Sequence, residues 1–180
     1  DTTFNFTGLV SGATYSVQII ANDSYVTTDP SDQLDVTTTL LPASGLHVTD
    51  RTENSVSLAW DAPANALISG YRIESRTVTN PGSACLALAN IDCPADASDW
   101  QDVDEVDANT TSFTVSDITP CISKSGGVGA LTPCPVTQYR VVAFNDNVQA
   151  DPSNTVTADV AFNAPGAVTG LTATVTASGI

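Results

Sequence analysis

The 180-residue sequence has no methionine, one histidine (His47), five Lys+Arg and only 6% aromatic residues. Each scarcity excludes something. Five cations against 20 Asp+Glu leave a formal net charge of -15, a sign that repels a phosphate backbone, so nucleic acid is excluded as a partner. Apolar runs last only a few residues, too short for insertion into a membrane as a spanning helix. No basic stretch followed by an apolar one opens the sequence, as a signal peptide would. One histidine and one lysine, Lys124, offer little acid–base chemistry near neutral pH. Nucleophile elbows, H-E-x-x-H, phosphate loops and dinucleotide fingerprints are all missing, so the inventory points away from an enzyme and from an organic cofactor.

What is present is alternation. Val56-x-Leu58-x-Trp60, Tyr71-x-Ile73, Phe113-x-Val115, Tyr139-x-Val141-x-Ala143 and Val156-x-Ala158-x-Val160 each repeat with period two, between turns rich in Pro, Gly, Asn and Asp. Such runs predict antiparallel strands with one buried face, and helical periodicity is nearly absent, so the fold class is all-β.

The sequence also repeats itself. Phe4-x-Phe6-x-x-Leu9 matches Phe113-x-Val115-x-x-Ile118 at an offset of 113 − 4 = 109, and Tyr15-x-Val17-x-Ile19 matches Tyr139-x-Val141-x-Ala143 at 139 − 15 = 124. The difference locates an insertion between Ile118 and Tyr139. Asn-Asp follows each tyrosine run, at Asn22-Asp23 and Asn145-Asp146, and Asp-Pro-Ser follows at Asp29 to Ser31 and Asp151 to Ser153. Gly45-Leu46-x-Val48 matches Gly170-Leu171-x-Ala173 at 170 − 45 = 125. Three pieces are expected: the last three strands of one repeat in 1–38, a whole repeat in 39–163, and the first strand of a third in 164–180. Short proline-bearing linkers, 40–44 and 162–166, separate them.

The middle repeat resembles a fibronectin type III domain. Pro42 with Leu46 and Val48 resembles the first strand of that family. Ser55 to Trp60, followed by Asp61-Ala62-Pro63, resembles the second strand with its core tryptophan. Gly70 to Glu74 resembles the third, and Ile118-Thr119-Pro120 with Thr137 to Asn145 resembles the tyrosine corner and sixth strand. The resemblance is to tandem repeats of bacterial or archaeal secreted and cell-surface proteins. It implies an immunoglobulin-like β-sandwich with Trp60, Tyr71, Phe113 and Tyr139 in its core, and Tyr15 in the same role in the first repeat. The period exceeds the ~100 residues of a plain sandwich; insertions at 79–99 and 120–136 account for the excess. Both are expected at the pole where the chain leaves the sandwich, as neighbours that stiffen the following joint.

The cysteines fall within these insertions: Cys85 and Cys93 in one, Cys121 and Cys134 in the other. Neither pair is C-x-x-C and His47 is far away in sequence, which argues against zinc. Four cysteines allow three pairings; a bridge within each insertion is the simplest, and crossed bridges or free thiols stay open. Bridges would fit an extracellular, oxidising setting. Calcium is a candidate ligand for Asp102, Asp104 and Asp107, where alternation places Asp102 and Asp104 on one face, and for Asp146 and Asp151. Against it, Asp and Asn in such loops commonly bond their own backbone. Asn5, Asn22 and Asn109 open glycosylation sequons. Trp100 is a candidate exposed platform for a sugar or protein, together with an apolar patch at Leu86 and Leu88; alternatively Trp100 covers the sandwich edge. The expected function is a non-catalytic spacer or stalk in a long secreted or cell-surface protein, such as an extracellular fibre or adhesin, with adjoining domains, or a cell-surface protein or glycan, as partners. The alternative is an accessory glycan- or protein-binding module of a secreted polysaccharide hydrolase.

Overall fold

The computed structural model describes residues 3–79, 96–119, 136–158 and 170. Among these, every regular element is a strand. β1 (Thr14–Val17) and β2 (Leu34–Thr37) form an antiparallel hairpin in an N-terminal segment. The rest builds a sandwich. One sheet has the order β3-β4-β8, from β3 (Ser44–Arg51), β4 (Val56–Asp61) and β8 (Ser112–Val115). The other is centred on β5 (Gly70–Thr79) and β9 (Val136–Phe144), with β10 (Val156–Thr157) beyond β9. β6 (Asp96–Ala97) and β7 (Gln101–Asp107) share the free edge of β5.

Alternation drives the packing. Val56, Leu58 and Trp60 of β4 point inward and are buried, while Ser57 and Ala59 between them are only partly covered. Tyr71, Ile73, Tyr139, Val141 and Ala143 meet them from the other sheet. The Trp60 and Tyr71 rings pack edge to face, with centroids 5.5 Å apart. Fully burying each such side chain contributes roughly 1.5–3 kcal/mol, which makes this layer the main source of stability. Phe113, Val115 and Ile118 close the core from the β8 side.

Two expectations are corrected. Ile73 pairs with Asp104 but Glu74 pairs with Asp102, so Val103 is the extra residue of a β-bulge. The bulge breaks the alternation that would have set Asp102 and Asp104 on one face, and Val103 and Val106 become the half-buried positions of β7. Second, the described residues of the N-terminal segment form two strands, where three were expected. Its Phe4–Phe6 stretch matches Phe113–Val115, which is a strand because β4 pairs with it, Leu58 opposite Phe113. No described strand plays the part of β4 for Phe4 and Phe6, which remain 79% and 56% exposed and stack edge-on against each other.

The expected insertion boundaries also move. Thr79 and Asp96 pair with each other, and Val136 opens β9, so the rims of 79–99 and 120–136 belong to the sheet. Cys85, Cys93, Cys121, Cys134, Leu86 and Leu88, the expected collar, and all of 164–180 except Gly170 lie outside the described residues.

Candidate functional site

Two surfaces bring chemistry-bearing residues together. The first is the outer face of the β5–β9 sheet. Tyr71, Ile73 and Ser75 of β5 alternate with Arg72, Glu74 and Arg76, and the latter three pair across the strands with Val142, Arg140 and Gln138. Arg72, Arg76 and Arg140, three of the chain's five Lys+Arg, therefore stand on one face of an acidic protein. Trp100, just before β7, lies between two of them. The guanidinium carbon of Arg140 is 4.2 Å from its ring centroid and that of Arg76 is 4.6 Å away. Both are within the range of a cation–π attraction, which strengthens when the cation is partly desolvated.

Hydrogen bonds fix each cation. Arg140 Nε donates to Glu74 Oε2, and Glu74 is only 6% exposed. Arg76 Nε donates to Gln138 Oε1 at 2.8 Å. Arg72 Nε donates to Glu105 at 3.1 Å and lies 3.8 Å from Asp102, while its guanidinium carbon sits 5.8 Å from the Phe144 ring centroid. The Glu105 hydrogen bond holds the Arg72 pKa above its ordinary value, with Asp102 adding to it. Three carboxylates thus accompany three guanidiniums. The face carries little net charge; it offers flat, oriented groups and not a well for an anion.

The second surface is a joint between the N-terminal segment and the sandwich. Ser11 bridges in parallel to Ala66. Its N–H donates to Asn65 O at 3.0 Å and its carbonyl accepts from Leu67 N at 2.8 Å. Its hydroxyl donates to Thr39 O at 3.0 Å and accepts from Leu41 N at 2.7 Å, tying in the linker. Asn145 Nδ2 donates to Gly12 O at 2.9 Å and Leu67 O at 2.7 Å. Gly12 has φ +76°, and a Cβ there would stand 2.7 Å from Leu40 Cδ1 and 2.8 Å from Asn145 Nδ2. Leu40, expected as linker, is buried in the sandwich core cluster.

Comparison with known proteins bears on what this framework is. Residues 41–122 match the model of the Fibronectin type III domain family. Over that segment the chain resembles a fibronectin type III domain. The match runs from the start of β3 past β8, and β9 and β10 complete the larger sheet beyond it. Among solved structures, the chain is similar to a two-domain fibronectin type III segment of chicken tenascin, with a TM-score of 0.58 and 15% identity over 85% of this chain and 68% of that one. It is also similar to titin kinase with its flanking domains (TM-score 0.44, 22% identity, 67% of this chain, 17% of that one). A third likeness is to the twitchin kinase region from C. elegans (TM-score 0.43, 17% identity, 64% of this chain, 15% of that one). At 15% identity the likeness to the tenascin segment is one of fold. Fibronectin type III domains are structural or binding modules of multidomain proteins and are generally non-catalytic.

Within the domain, Trp60, Tyr71 and Tyr139 are buried and Phe113 packs partly buried against them. Tyr15, in the N-terminal segment, is half-buried, and its hydroxyl accepts a hydrogen bond from Val10 N at 2.8 Å, the bond of a tyrosine corner. The candidate calcium ligands do not gather. Asp102 is turned to Arg72, Asp104 accepts from the Glu105 N–H at 2.8 Å, and Asp107, Asp146 and Asp151 are exposed. Among the described residues no three His, Cys, Asp or Glu side chains are grouped to hold a metal ion. Trp100 is half-buried between its two arginines and is not a bare platform. No described helix is long and apolar enough to cross a membrane.

Two features were missed in the sequence. The Arg76–Trp100–Arg140 stack joins β5, β9 and the residue that precedes β7, and its only sequence trace is the spacing Arg72-x-Glu74-x-Arg76. Asn145 reads from sequence as a turn residue; its amide partners are 133 and 78 residues away.

Proposed function

We propose that the chain is a spacer segment of a long extracellular or cell-surface protein. In this reading 1–38 are the closing strands of a first fibronectin type III unit, 39–163 a complete unit and 164–180 the opening of a third. The observation that carries it is the joint: backbone and side chains of residues 9–12 dock onto 39–41, 65–67 and Asn145, so successive units are held by direct contacts and not by a free linker. The net charge of -15 supports it, because acidic rods repel one another and stay dispersed. The paired cysteines support an oxidising setting. The reading is tested on the tandem protein by single-molecule pulling together with small-angle scattering. A spacer gives an elongated particle and one unfolding event per unit; a compact particle whose units collapse on one another would refute it.

A second reading, an accessory module that binds a glycan or protein, is favoured by the Arg76–Trp100–Arg140 stack, whose planar groups suit stacking against a sugar ring or peptide. A Trp100→Ala variant that loses retention on a polysaccharide or protein surface while keeping its fold would select this reading over the spacer.

A further inference from the structure

Asn145 has a double function that its counterpart in the N-terminal segment lacks. Its Oδ1 accepts from Asn147 N and Val148 N, both at 2.9 Å, and its own N–H donates to Val148 O at 3.0 Å, closing the loop after β9. The N-terminal segment contains the same loop. Asp23 Oδ1 accepts from Tyr25 N and Val26 N, both at 2.7 Å, and Asp23 N donates to Val26 O at 2.9 Å. The equivalence continues beyond the loop. Ile19 N and Val141 N each donate to a serine hydroxyl at 2.9 Å, of Ser31 and Ser153 respectively. Both pairs of landmarks lie 122 apart, 145 − 23 and 153 − 31. The structural partner of Asn145 is therefore Asp23, one residue on from the Asn22 that sequence matching selects.

Closing the loop needs only an acceptor oxygen, which Asn and Asp both supply. Bonding Gly12 O across the joint and Leu67 O within the sandwich at once needs two N–H donors, which only the amide has. All four hydrogen-bonding positions of the Asn145 amide are used, and this fixes its orientation: the reverse would set an oxygen against two carbonyls and an NH2 against two N–H groups. We infer that Asn145 is the positioning residue that locks the angle between the N-terminal segment and the sandwich, through a pole surface built to receive the carbonyl of a tight Ser-Gly turn from a preceding unit. The lock is separable from the loop, and an Asp at this position gives a loop without a lock. The partner this pole fits is a backbone turn with a small residue and a glycine, because the Gly12 position has no room for a Cβ.

This deepens the spacer reading and rests on it only for its purpose. The test is residual dipolar couplings on the whole chain, comparing amides of β1 and β2 with those of β3 to β10. The wild type is expected to fit one alignment tensor. Asn145→Asp is expected to lose the common tensor while the amides of Asn147 and Val148 keep their shifts and protection, since the loop-closing acceptor remains. Gly12→Ala, which keeps Asn145 and its loop-closing oxygen, is expected to lose the common tensor as well, and it decides the matter should Asn145→Asp disturb the loop itself. A single tensor surviving both substitutions overturns the lock and leaves the spacer reading standing. A wild type that already needs two tensors overturns the lock and the rigid joint together.

Discussion

The hairpin of the N-terminal segment and the hairpin formed by β9 and β10 carry the same hydrogen bonds and opposite burial. Ile19 is 72% exposed and Val141 is fully buried, though the same serine hydroxyl bond holds each backbone. Tyr15 faces a groove of about 280 Å³ lined by Phe6, Leu9, Val17, Leu34 and Val36, whereas Tyr139 is 2% exposed beneath the second sheet. The difference teaches where each level of structure comes from. Turn geometry is local, written in Asp-Pro-Ser and in the Asx loop, and forms with or without a core. Burial is not local: it needs the β3-β4-β8 sheet, which covers Tyr139 and Val141 and does not reach Ile19.

The largest effect that separates the two regions is expected at Trp60, at the centre of the covering layer. Trp60→Ala should lower the stability of the sandwich by about 3–5 kcal/mol, through loss of buried surface and an uncollapsed cavity. Urea denaturation of the sandwich measures it, and a cost below about 1 kcal/mol would show that the Trp60–Tyr71 layer does not anchor the fold. Next comes the matched pair on the hairpins. Val141→Ala should cost roughly 2 kcal/mol, and Ile19→Ala should stay within about 0.5 kcal/mol, because only the first leaves a hole. Equal costs at the two positions would mean that the groove over β1 and β2 is filled in solution.

A smaller contrast lies between two tyrosine hydroxyls. Tyr15→Phe removes the bond from Val10 N and should cost about 1 kcal/mol of local stability, read as faster amide exchange at Val10 and along β1. Tyr71 is fully buried and its hydroxyl has no hydrogen-bond partner among the described residues. Tyr71→Phe should therefore be neutral or stabilising by up to about 1 kcal/mol. Burial also raises the Tyr71 pKa. The stabilising preference for its protonated form is fully present below the ordinary tyrosine value of about 10 and is lost as pH rises through the folded value. Alkaline unfolding should accordingly begin later in Tyr71→Phe than in the wild type.

The sandwich was legible in the sequence because its signals are periodic. Val56, Leu58 and Trp60 announce a buried face at every second residue, and the order of Trp60, Tyr71 and Tyr139 points to the family. What was not legible depends on register and on distant partners. The bulge at Val103 shifts β7 by one residue and scatters a cluster of acids that looked like a ligand set. The stack around Trp100 requires β5, β7 and β9 to be side by side. Asn145 looked the same as any loop asparagine, because its second function is defined by carbonyls supplied from another part of the chain. The first matched hairpin also looked one strand richer than it is, since Phe4 and Phe6 have the pattern of a strand without the partner that makes one.

The smallest expected effect distinguishes the two loops by their acidity alone. Hydrogen bonds from the Tyr25 and Val26 amides lower the Asp23 pKa, and those from the Ser16 hydroxyl and the Gln33 amide lower that of Asp35 on the same hairpin. A carboxylate with a depressed folded pKa stabilises the fold above its unfolded value, about 3.9 for Asp, and that contribution is lost as pH falls through the lower, folded value. The loop closed by Asn145 uses a neutral amide oxygen for the same two bonds and has nothing to titrate at that atom. Acidification from pH 5 towards pH 2 should therefore shift and deprotect the Tyr25 and Val26 amides while those of Asn147 and Val148 stay fixed, as followed by amide NMR and hydrogen exchange. Asp23→Asn should abolish the difference and leave the first loop closed at low pH. Parallel loss of both loops in the wild type would mean that acid acts through the whole molecule's charge, and the local account of the Asp23 loop would fail.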